Sequence, residues 1–469
     1  MNFQRLLIAA ASLAWLATPL SSAQAFCGFY VAKADTQLFN QASKVVIARH
    51  DGKTVITMVN DYQGDPKEFA TVIPVPYVLE RGQIHVTDPA IVEHLDAYTA
   101  PRLVEYFDSD PCTQYDLSLE VAEFASRALK SAAAPVAAGD VLGVTIEAQY
   151  TVGEYDILIL SAEQSGGLKA WLKANGYTLP AGVAPVLDDY LAKGMKFFVA
   201  KVNLAEKSKL GSTFLRPLQI AFESEHFMLP IRLGMANAAG PQELYIFTLT
   251  RQGRVETRNY RTVRLPSDVT VPLFVKDEFG NFFEALFDRQ VDREDRRAVF
   301  LEYAWDMAWC DPCAADPLSV AELRELGVFW LDDGGGAGGA KAQAHDVFAT
   351  RLHLRYDAEH FPDDLMFRET SDRSNFQGRY VLQHPWSGVA DCQAANAYYR
   401  ALPDRFEREA QQLSSLTNWP IAEVRGKMER SGQSFAPRPV PIDDERSWWK
   451  KLWDKADFTP VTERRRMRG

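Results

Sequence analysis

Short apolar runs bounded by polar residues first indicate strands near the start of the folded body. Residues 44–49 and 54–59 are rich in Val, Ile and Thr, and Asp51-Gly52 separates them. Asp and Gly tolerate the positive φ angles of a tight turn, so the two runs predict a β-hairpin. A further apolar run, Phe69–Val75, predicts another strand.

Helix signals follow these strands. Asp88-Pro89 is typical of an N-cap followed by proline in the first turn, which predicts a short helix ending near Tyr98. By the same reasoning, Pro101 predicts the start of a second helix. Two later helices are expected to end where Gly176 and Gly194 supply left-handed caps. These helices cover residues 168–175 and 185–193, after strands predicted at 141–151 and 155–160.

The rest of the chain continues this mixture. We expect strands at residues 197–204, 227–233, 243–250, 255–260, 350–356 and 379–384, with 243–250 and 255–260 paired across Gln252-Gly253. Residues 390–416 predict a helix that Pro403 interrupts near its middle. Because no βαβ rhythm is present, the sequence predicts an α+β fold. It would have a β-rich body with antiparallel sheets and short helix pairs, followed by a C-terminal helical region.

Composition divides the chain into four segments. Residues 1–25 are a leader, 26–290 an α+β body, 291–430 a second α+β and helical region, and 431–469 a linker with an amphipathic basic tail. The second region contains a glycine-rich segment, 332–344, which we interpret as a flexible loop or linker. It lacks the Lys-Ser or Lys-Thr ending of a nucleotide-binding loop.

The leader has the pattern of a cleavable secretory signal peptide. Arg5 supplies a positive start, residues 6–16 are uncharged and apolar, and Ala23-Gln24-Ala25 offers small residues for cleavage. The apolar run is about half the ~20 residues of a membrane-spanning helix. We therefore expect a periplasmic or secreted protein that begins at Phe26, and the bulk of Phe26 argues against lipidation of Cys27.

Charge excludes one broad class of partner. Without Arg5, the chain carries 50 basic and 62 acidic residues, a net charge of −12. General nucleic-acid binding needs a basic face that displaces counterions, so no nucleic-acid partner is expected. The hydrophobic fraction of 47% is ample for a packed core.

The five cysteines are consistent with export and with disulfides. They are Cys27, Cys112, Cys310, Cys313 and Cys392. An oxidising compartment favours two disulfides with one thiol left over, and the sequence leaves the pairing open. Asp-Pro precedes both Cys112 and Cys313, and a fixed backbone before each sulfur favours a structural role.

One dithiol has a second interpretation. The segment Trp309-Cys310-Asp311-Pro312-Cys313 differs at one position from the thioredoxin-type motif, which suggests thiol-disulfide exchange. Asp311 disfavours a reactive thiolate, because a nearby negative charge raises the pKa of a thiol. The next helix is also delayed until Ser319, where Glu322 completes a capping box. The structural interpretation is therefore preferred over the redox one.

No motif indicates a metal, a cofactor or a catalytic nucleophile. His345, His353 and His360 are spaced by eight and seven residues, which matches no standard zinc pattern. We expect hydrogen-bonded or solvated histidines, with His353 and Arg355 on one side of a strand. Asp363-Asp364 are adjacent, so we interpret them as caps and surface charge rather than a pair of catalytic carboxylates.

Several segments resemble one bacterial family in the same order along the chain. They are CGFYVA (27–32), VIPVP (72–76), DAYTAPRLVEYFDSDPC (96–112), VGEYDILILSA (152–162), WLKANGY (171–177), WCDPCAADPL (309–318), TRLHLRYD (350–357) and RYVLQHPW (379–386). They are similar to domain-of-unknown-function family 2330, up to about residue 419. The resemblance implies an exported bacterial protein with cysteines in matching places, and it implies no activity.

The tail after about residue 430 lies outside the resemblance. Trp448, Trp449, Leu452 and Trp453 fall on one stripe of a helix at 446–458, with lysines on the other side. From residue 445 onward the local charge is +4, against −16 for the rest of the mature chain. This pattern suits peripheral contact with an anionic membrane, and it also suits a terminal helix docked on the body.

These observations favour a non-enzymatic binding or scaffold protein of the cell envelope, with an unknown envelope partner or ligand. The alternative is a thiol-disulfide oxidoreductase or redox sensor that uses Cys310 and Cys313. A metal-dependent hydrolase is the weakest of the three hypotheses.

Overall fold

The computed structural model describes the chain over thirteen stretches. These are residues 29–32, 39–40, 43–59, 62–63, 69–113, 144–162, 165–175, 182–210, 215–237, 240–309, 315–331, 346–388 and 392–436. The predictions for the leader at 1–25, Cys27, Cys310, Cys313, the segment 332–344 and Trp448, Trp449, Leu452 and Trp453 lie outside these residues.

The described helices and strands alternate irregularly along the chain. The helices are α1 Pro89–Thr99, α2 Ser165–Ala174, α3 Val183–Ala192, α4 Leu204–Leu210, α5 Phe279–Arg293, α6 Val320–Glu325, α7 Gln393–Thr417 and α8 Ile421–Arg430. The strands up to residue 202 are β1 Phe29–Ala32, β2 Phe39–Asn40, β3 Ser43–His50, β4 Lys53–Val59, β5 Tyr62–Gln63, β6 Phe69–Val75, β7 Ile84–Val86, β8 Arg102–Phe107, β9 Val144–Val152, β10 Tyr155–Ala162 and β11 Lys196–Val202. The later strands are β12 Leu218–Glu223, β13 Met228–Leu229, β14 Gln242–Thr250, β15 Val255–Thr257, β16 Arg261–Arg264, β17 Val269–Val271, β18 Ala298–Asp306, β19 Phe348–Tyr356, β20 Leu365–Glu369, β21 Phe376–Gln377 and β22 Arg379–His384.

The chain forms two compact units, each discontinuous in sequence. The first contains residues 1–102, 127–269 and 286–380, and the second contains 103–126, 270–285 and 381–469. Residues 26–290 and 291–430 therefore both contribute to both units.

The first unit has two large sheets. Five strands follow the order β1-β6-β11-β10-β9, and a nine-stranded sheet follows β16-β18-β19-β14-β3-β4-β12-β7, with β21 beside β18. Most pairs are antiparallel, but β14 runs parallel to β3 and β16 runs parallel to β18. Two small sheets, β13-β20-β15 and β2-β5, also belong to this part of the fold. The predicted α+β class with a β-rich body and C-terminal helices is confirmed.

Side-chain alternation arranges the first unit in four layers. Val45 and Ile47 of β3 are buried with residues of the five-stranded sheet. Val46 and Ala48, on the opposite face of the same strand, are buried with α1 and α6. The outer face of the five-stranded sheet packs on α2 and α3. Because both faces of the nine-stranded sheet are covered, β3 is apolar at consecutive positions.

Several local signals had the predicted effect. The hairpin of β3 and β4 turns at Asp51 and Gly52, both with positive φ. Asp88 caps α1, since its side chain accepts a hydrogen bond from the Ala90 amide. Ser319 and Glu322 form the expected capping box at α6.

Two local predictions were wrong because long-range pairing outweighed turn chemistry. Pro101 starts no helix: residues 102–107 form β8, whose β-branched and aromatic side chains suit a strand, and β8 pairs with β22. The strands around Gln252-Gly253 do not pair with each other either. Both edges of β14 are occupied by β19 and β3, so β15 pairs with β20.

The second unit contains most residues of the sheet β17-β22-β8 and the two C-terminal helices. The predicted interruption at Pro403 is absent, because α7 is continuous and buries Leu402, Phe406 and Leu413 across the proline. Glu409 on α7 accepts a 2.8 Å hydrogen bond from Gln433, and burial raises the pKa of its carboxyl to about 7. In the part of the chain that the structure describes, no helix is long and apolar enough to cross a bilayer.

Candidate functional site

The face of the nine-stranded sheet that packs on α1 carries a buried network of charges. Arg351, His353 and Arg355 alternate along β19 and therefore project from the same face. His353 and Arg351 are almost fully buried, and the carboxylate of Glu302 between them is completely buried. Buried charges need partners, so these contacts decide whether the network is stable.

A β-bulge places Glu302 in this network. In the pairing of β18 with β19, Leu301 faces Leu352 and Tyr303 faces Arg351, so Glu302 is the extra residue. Its two carboxylate oxygens then receive different partners. Oε2 accepts from Arg351 Nε at 2.5 Å, and Oε1 lies 2.7 Å from His353 Nδ1.

His353 is held between two aromatic rings and two carboxylates. The Phe287 ring stacks on the imidazole at 3.6 Å between centroids, and the Tyr245 ring stacks on the other side at 4.1 Å. Nε2 lies 3.6 Å from the Glu243 carboxylate. Burial acts to lower the pKa of His353, but Glu302 and Glu243 outweigh it, so the pKa is raised.

The network continues to both sides of His353. Arg351 also pairs with Asp96 of α1, which bonds Lys44 of β3 at 2.5 Å. On the other side Arg355 bonds Glu243, and it reaches Asp288 of α5 at 2.7 Å. The cations are Lys44, Arg351, Arg355 and protonated His353, and the carboxylates are Asp96, Glu243, Glu302 and Asp288.

The charges in this network are therefore balanced. Burial acts to raise the pKa of Glu243, but His353 and Arg355 lower it to about 2. Burial is likewise outweighed at Glu302, where Arg351 and His353 hold the pKa below its usual value. The network is filled and paired, so its chemistry suits holding β18, β19 and α1 together rather than binding a ligand.

The opposite, sheet-facing side of the same sheet borders a cavity of about 720 Å³. Ile56 and Met58 of β4 and Ile220 of β12 form one wall, and Ile73 of β6 lies in another. Met228 and Met366 of the small sheet also line the cavity, and they are paired across β13 and β20. Met195 also lines it, so four of the chain's nine methionines lie here.

Several polar side chains also contribute to the cavity lining. Asp363, Asp364, Asn259, Lys193 and His226 contribute to it. Asp363, Lys193 and His226 are exposed, whereas Asp364 is only 5% exposed. The expectation that Asp363-Asp364 are surface charge is therefore wrong for Asp364.

Asp364 is fixed by three donors on a single oxygen. Oδ1 accepts from Tyr190 Oη at 2.6 Å, from the Ile231 amide at 3.1 Å and from the Arg232 amide at 3.3 Å. Within the described residues, no hydrogen bond is made to Oδ2. Burial raises the pKa of this carboxyl, although its hydrogen bonds and Arg232 oppose the shift.

The backbone around Asp364 is also held in place. Asn259 donates to the Asp364 carbonyl at 2.8 Å and accepts from the Met366 amide at 3.0 Å. Tyr260 Oη donates to the Asp363 carbonyl and accepts from its amide, both at 3.0 Å. Asp364 therefore has a defined position beside an open, mostly apolar space.

The structure assigns the pairing of two of the five cysteines. Cys112 and Cys392 form a disulfide in the second unit with 5.9 Å between their Cα atoms, which confirms one disulfide and assigns it to two of the candidates. Cys392 is also the N-cap of α7, and its sulfur accepts from the Ala395 amide. The only cysteines left as partners for Cys310 and Cys313 are each other and Cys27.

Several of the histidines that the structure describes are hydrogen-bonded through their rings. His360 Nδ1 lies 2.8 Å from the Asp357 carboxylate, and His94 Nδ1 lies 2.8 Å from Glu322. Among the described residues, no group of three or more His, Cys, Asp or Glu is placed to hold a metal ion.

Sequence reasoning missed the two carboxyls that define these sites. Glu302 depends on a bulge, and the burial of Asp364 depends on contacts with residues more than a hundred positions away. The only local signal for Asp364 is its position directly before the strand-like run Leu365–Glu369.

Fold and sites together define an α+β protein with a layered first unit, an apolar cavity and a disulfide in its second unit. The family model described as "Uncharacterized protein conserved in bacteria (DUF2330)" matches residues 21–368. The chain belongs to this family. The match ends before residue 419, where the sequence resemblance was expected to end. No curated protein and no solved structure matches the chain.

Proposed function

We propose that this chain is an exported envelope protein that binds a mostly apolar small molecule without transforming it. The observation that carries the proposal is the cavity of about 720 Å³. Ligand sites typically have volumes of about 300–1,000 Å³, apolar walls and a few placed polar groups. Methionines suit such a wall, because their flexible thioethers adapt to ligands of different shape.

A fluorescent apolar probe tests the proposal directly. N-phenyl-1-naphthylamine becomes bright in an apolar site, so we expect saturable fluorescence with the purified protein. Met366→Trp places a bulky ring on the cavity wall and should weaken probe binding at least about tenfold. Leu204→Trp is the matched control, because Leu204 is exposed and is not part of the lining. Equal binding by both variants would place the probe elsewhere and contradict the proposal.

Export is part of the proposal and has its own test. The signal pattern at residues 1–25 predicts a mature chain that begins at Phe26. N-terminal sequencing and intact mass of the fractionated protein should give this start in the periplasm or the medium. A retained leader, or a lipid on Cys27, would refute it.

We also propose that residues 446–458 contact the membrane surface. The support is the stripe of Trp448, Trp449, Leu452 and Trp453 opposite lysines. The mature chain should co-sediment with anionic liposomes, and a chain ending at Asp444 should not. Equal sedimentation would exclude membrane contact, and earlier melting of the shortened chain would support a docked helix instead.

Thiol-disulfide exchange is the second candidate, and the Cys112–Cys392 bond bears on it. With that bond formed, Cys112 and Cys392 are no longer partners for Cys310 and Cys313. This favours Cys310 and Cys313 as a redox pair over two separate long-range disulfides. Asp311 still disfavours a reactive thiolate. We expect no turnover in an insulin-reduction assay. Turnover that Cys310→Ser abolishes would make the redox function the better one.

A further inference from the structure

The polar side chains that line the cavity indicate which kind of molecule the proposed site accepts. The buried carboxyl of Asp364 lines the cavity, and its Oδ1 already has three donors. In the described part of the chain, Oδ2 has none. A carboxylate oxygen is an acceptor, so Oδ2 lacks a donor that a ligand could supply.

The charged groups near Asp364 also favour a ligand that supplies a hydrogen-bond donor. Lys193 and Arg232 act electrostatically on Asp364, and both also pair with Asp189; the Lys193 contact is 2.8 Å long. One carboxylate thus engages two cations, while Asp363 and Asp364 face the cavity as two further carboxyls. Apart from His226, which also lines the cavity, the three carboxyls of Asp189, Asp363 and Asp364 outnumber the two cations, which favours a positively charged head group.

The apolar walls of the cavity indicate the chemistry of the rest of the ligand. Met58, Ile73 and Ile220 are at most 3% exposed. Pro74 and Pro76 contribute further wall without a backbone N–H. A ligand therefore gains most by burying apolar surface against these walls, at roughly 25 cal/mol per Å².

We infer that the ligand is a one-headed amphiphile with an apolar tail and a hydrogen-bond-donating head, preferably a primary ammonium group, that bonds Asp364 Oδ2. The inference rests on the proposed binding function. Tyr190, Ile231 and Arg232 act as positioning residues, because all three donate to Oδ1 and so leave Oδ2 for the ligand. The desolvation that raises the pKa of Asp364 would be offset by a bound cation.

Three probes with the same tail test the inference. Decylamine, decanol and decanoate, each below its micelle concentration, differ only in the head group. By calorimetry at neutral pH, we expect decylamine to bind about tenfold more tightly than decanoate, with decanol between them, because hydrogen bonds to charged groups are the stronger ones. Equal affinity for all three would refute the head-group inference and leave the proposed function standing. Binding by none of them would refute the proposed function itself.

Asp364→Asn should reverse this preference. The amide oxygen can keep the three donors of Oδ1, and the amide nitrogen then presents a donor to the cavity. We expect decylamine to lose about tenfold in affinity, decanoate to gain, and decanol to change by less than about threefold. The decanol result shows whether the cavity is intact. An unchanged order of the three probes in a variant that still binds decanol would overturn the assignment to Asp364.

Two further variants separate the site from general attraction to an acidic protein. Asp188→Asn removes a charge from an exposed carboxylate of α3 outside the cavity lining, and it should leave all three affinities unchanged. Met366→Trp should abolish the preference for decylamine by blocking the cavity. A preference that survives Met366→Trp would be surface adsorption and would contradict the inference.

Discussion

The two faces of the nine-stranded sheet carry opposite chemistry. On the face toward α1, charged side chains fill the space and pair with one another, as Glu302 does with Arg351 and His353. On the face toward the five-stranded sheet, apolar side chains leave an open cavity lined by one buried carboxyl, Asp364, whose hydrogen bonds with the described residues all reach Oδ1. The same sheet therefore separates a region that stabilises the fold from a region that is suited to binding.

The contrast also predicts different responses to the same chemical change. A paired buried carboxylate stabilises the fold only while its cations are present, and removing it leaves those cations uncompensated. A buried carboxyl with a raised pKa instead opposes folding when it ionises. Replacing each carboxyl by its amide therefore tests the comparison.

Glu302→Gln should have the largest effect. The amide leaves Arg351 and His353 buried without their shared counter-charge, so we expect the free energy of unfolding to fall by about 3–5 kcal/mol. Urea unfolding at neutral pH measures it. Glu359→Gln is the matched control, because Glu359 is exposed, and it should change stability by less than about 0.5 kcal/mol. Similar effects of the two variants would mean that the network contributes little.

The second-largest effect should come from acid, which weakens the contribution of the charge network to stability. The pKa of Glu243 lies at about 2 in the folded chain, against a usual value of 4.5. A lowered pKa contributes stability that is present above the usual value and is lost as the pH falls toward the folded value. The contribution of Glu243 is about 3 kcal/mol. Glu243→Gln should therefore flatten the stability profile between about pH 5 and pH 2, and a profile unchanged by the substitution would contradict the pairing with His353 and Arg355.

A smaller change is expected on the alkaline side. The raised pKa of His353 means that its contribution is fully present below the usual value of 6.5 and is lost as the pH rises through the folded value. Glu409 and Asp364, whose pKa values are also raised, contribute slopes of the same sign. The effect of His353 alone is therefore measured as the difference in urea unfolding between the wild type and His353→Gln at pH values above 6.5. Parallel profiles would show that His353 does not titrate in this range.

Much of the secondary structure was predictable because its causes are local. The Asp51-Gly52 turn, the Asp88 cap and the Ser319 capping box each act within a few residues. Even the common face of His353 and Arg355 follows from the two-residue period of a strand.

The sites were not predictable, because their causes are distant in sequence. The bulge that turns Glu302 toward His353 depends on the register between β18 and β19. The cavity is lined by residues of β4, β6, β12, β13 and β20. The pairing of these strands cannot be predicted from local sequence signals. Pro101 illustrates the same limit, since the strand after it forms only because β22 is available as a partner.

Asp364→Asn should have the smallest effect on stability and the opposite sign to Glu302→Gln. Because the pKa of Asp364 is raised, its favourable contribution is fully present below the usual value of 3.8 and is lost as the pH rises through the folded value. The amide stays neutral, and its oxygen can still accept from Tyr190, Ile231 and Arg232. We expect the free energy of unfolding at neutral pH to rise or stay equal, within about 1 kcal/mol. A loss of more than about 2 kcal/mol in urea unfolding would make Asp364 a structural ion like Glu302. The two faces of the sheet would then no longer differ in the way that the cavity suggests.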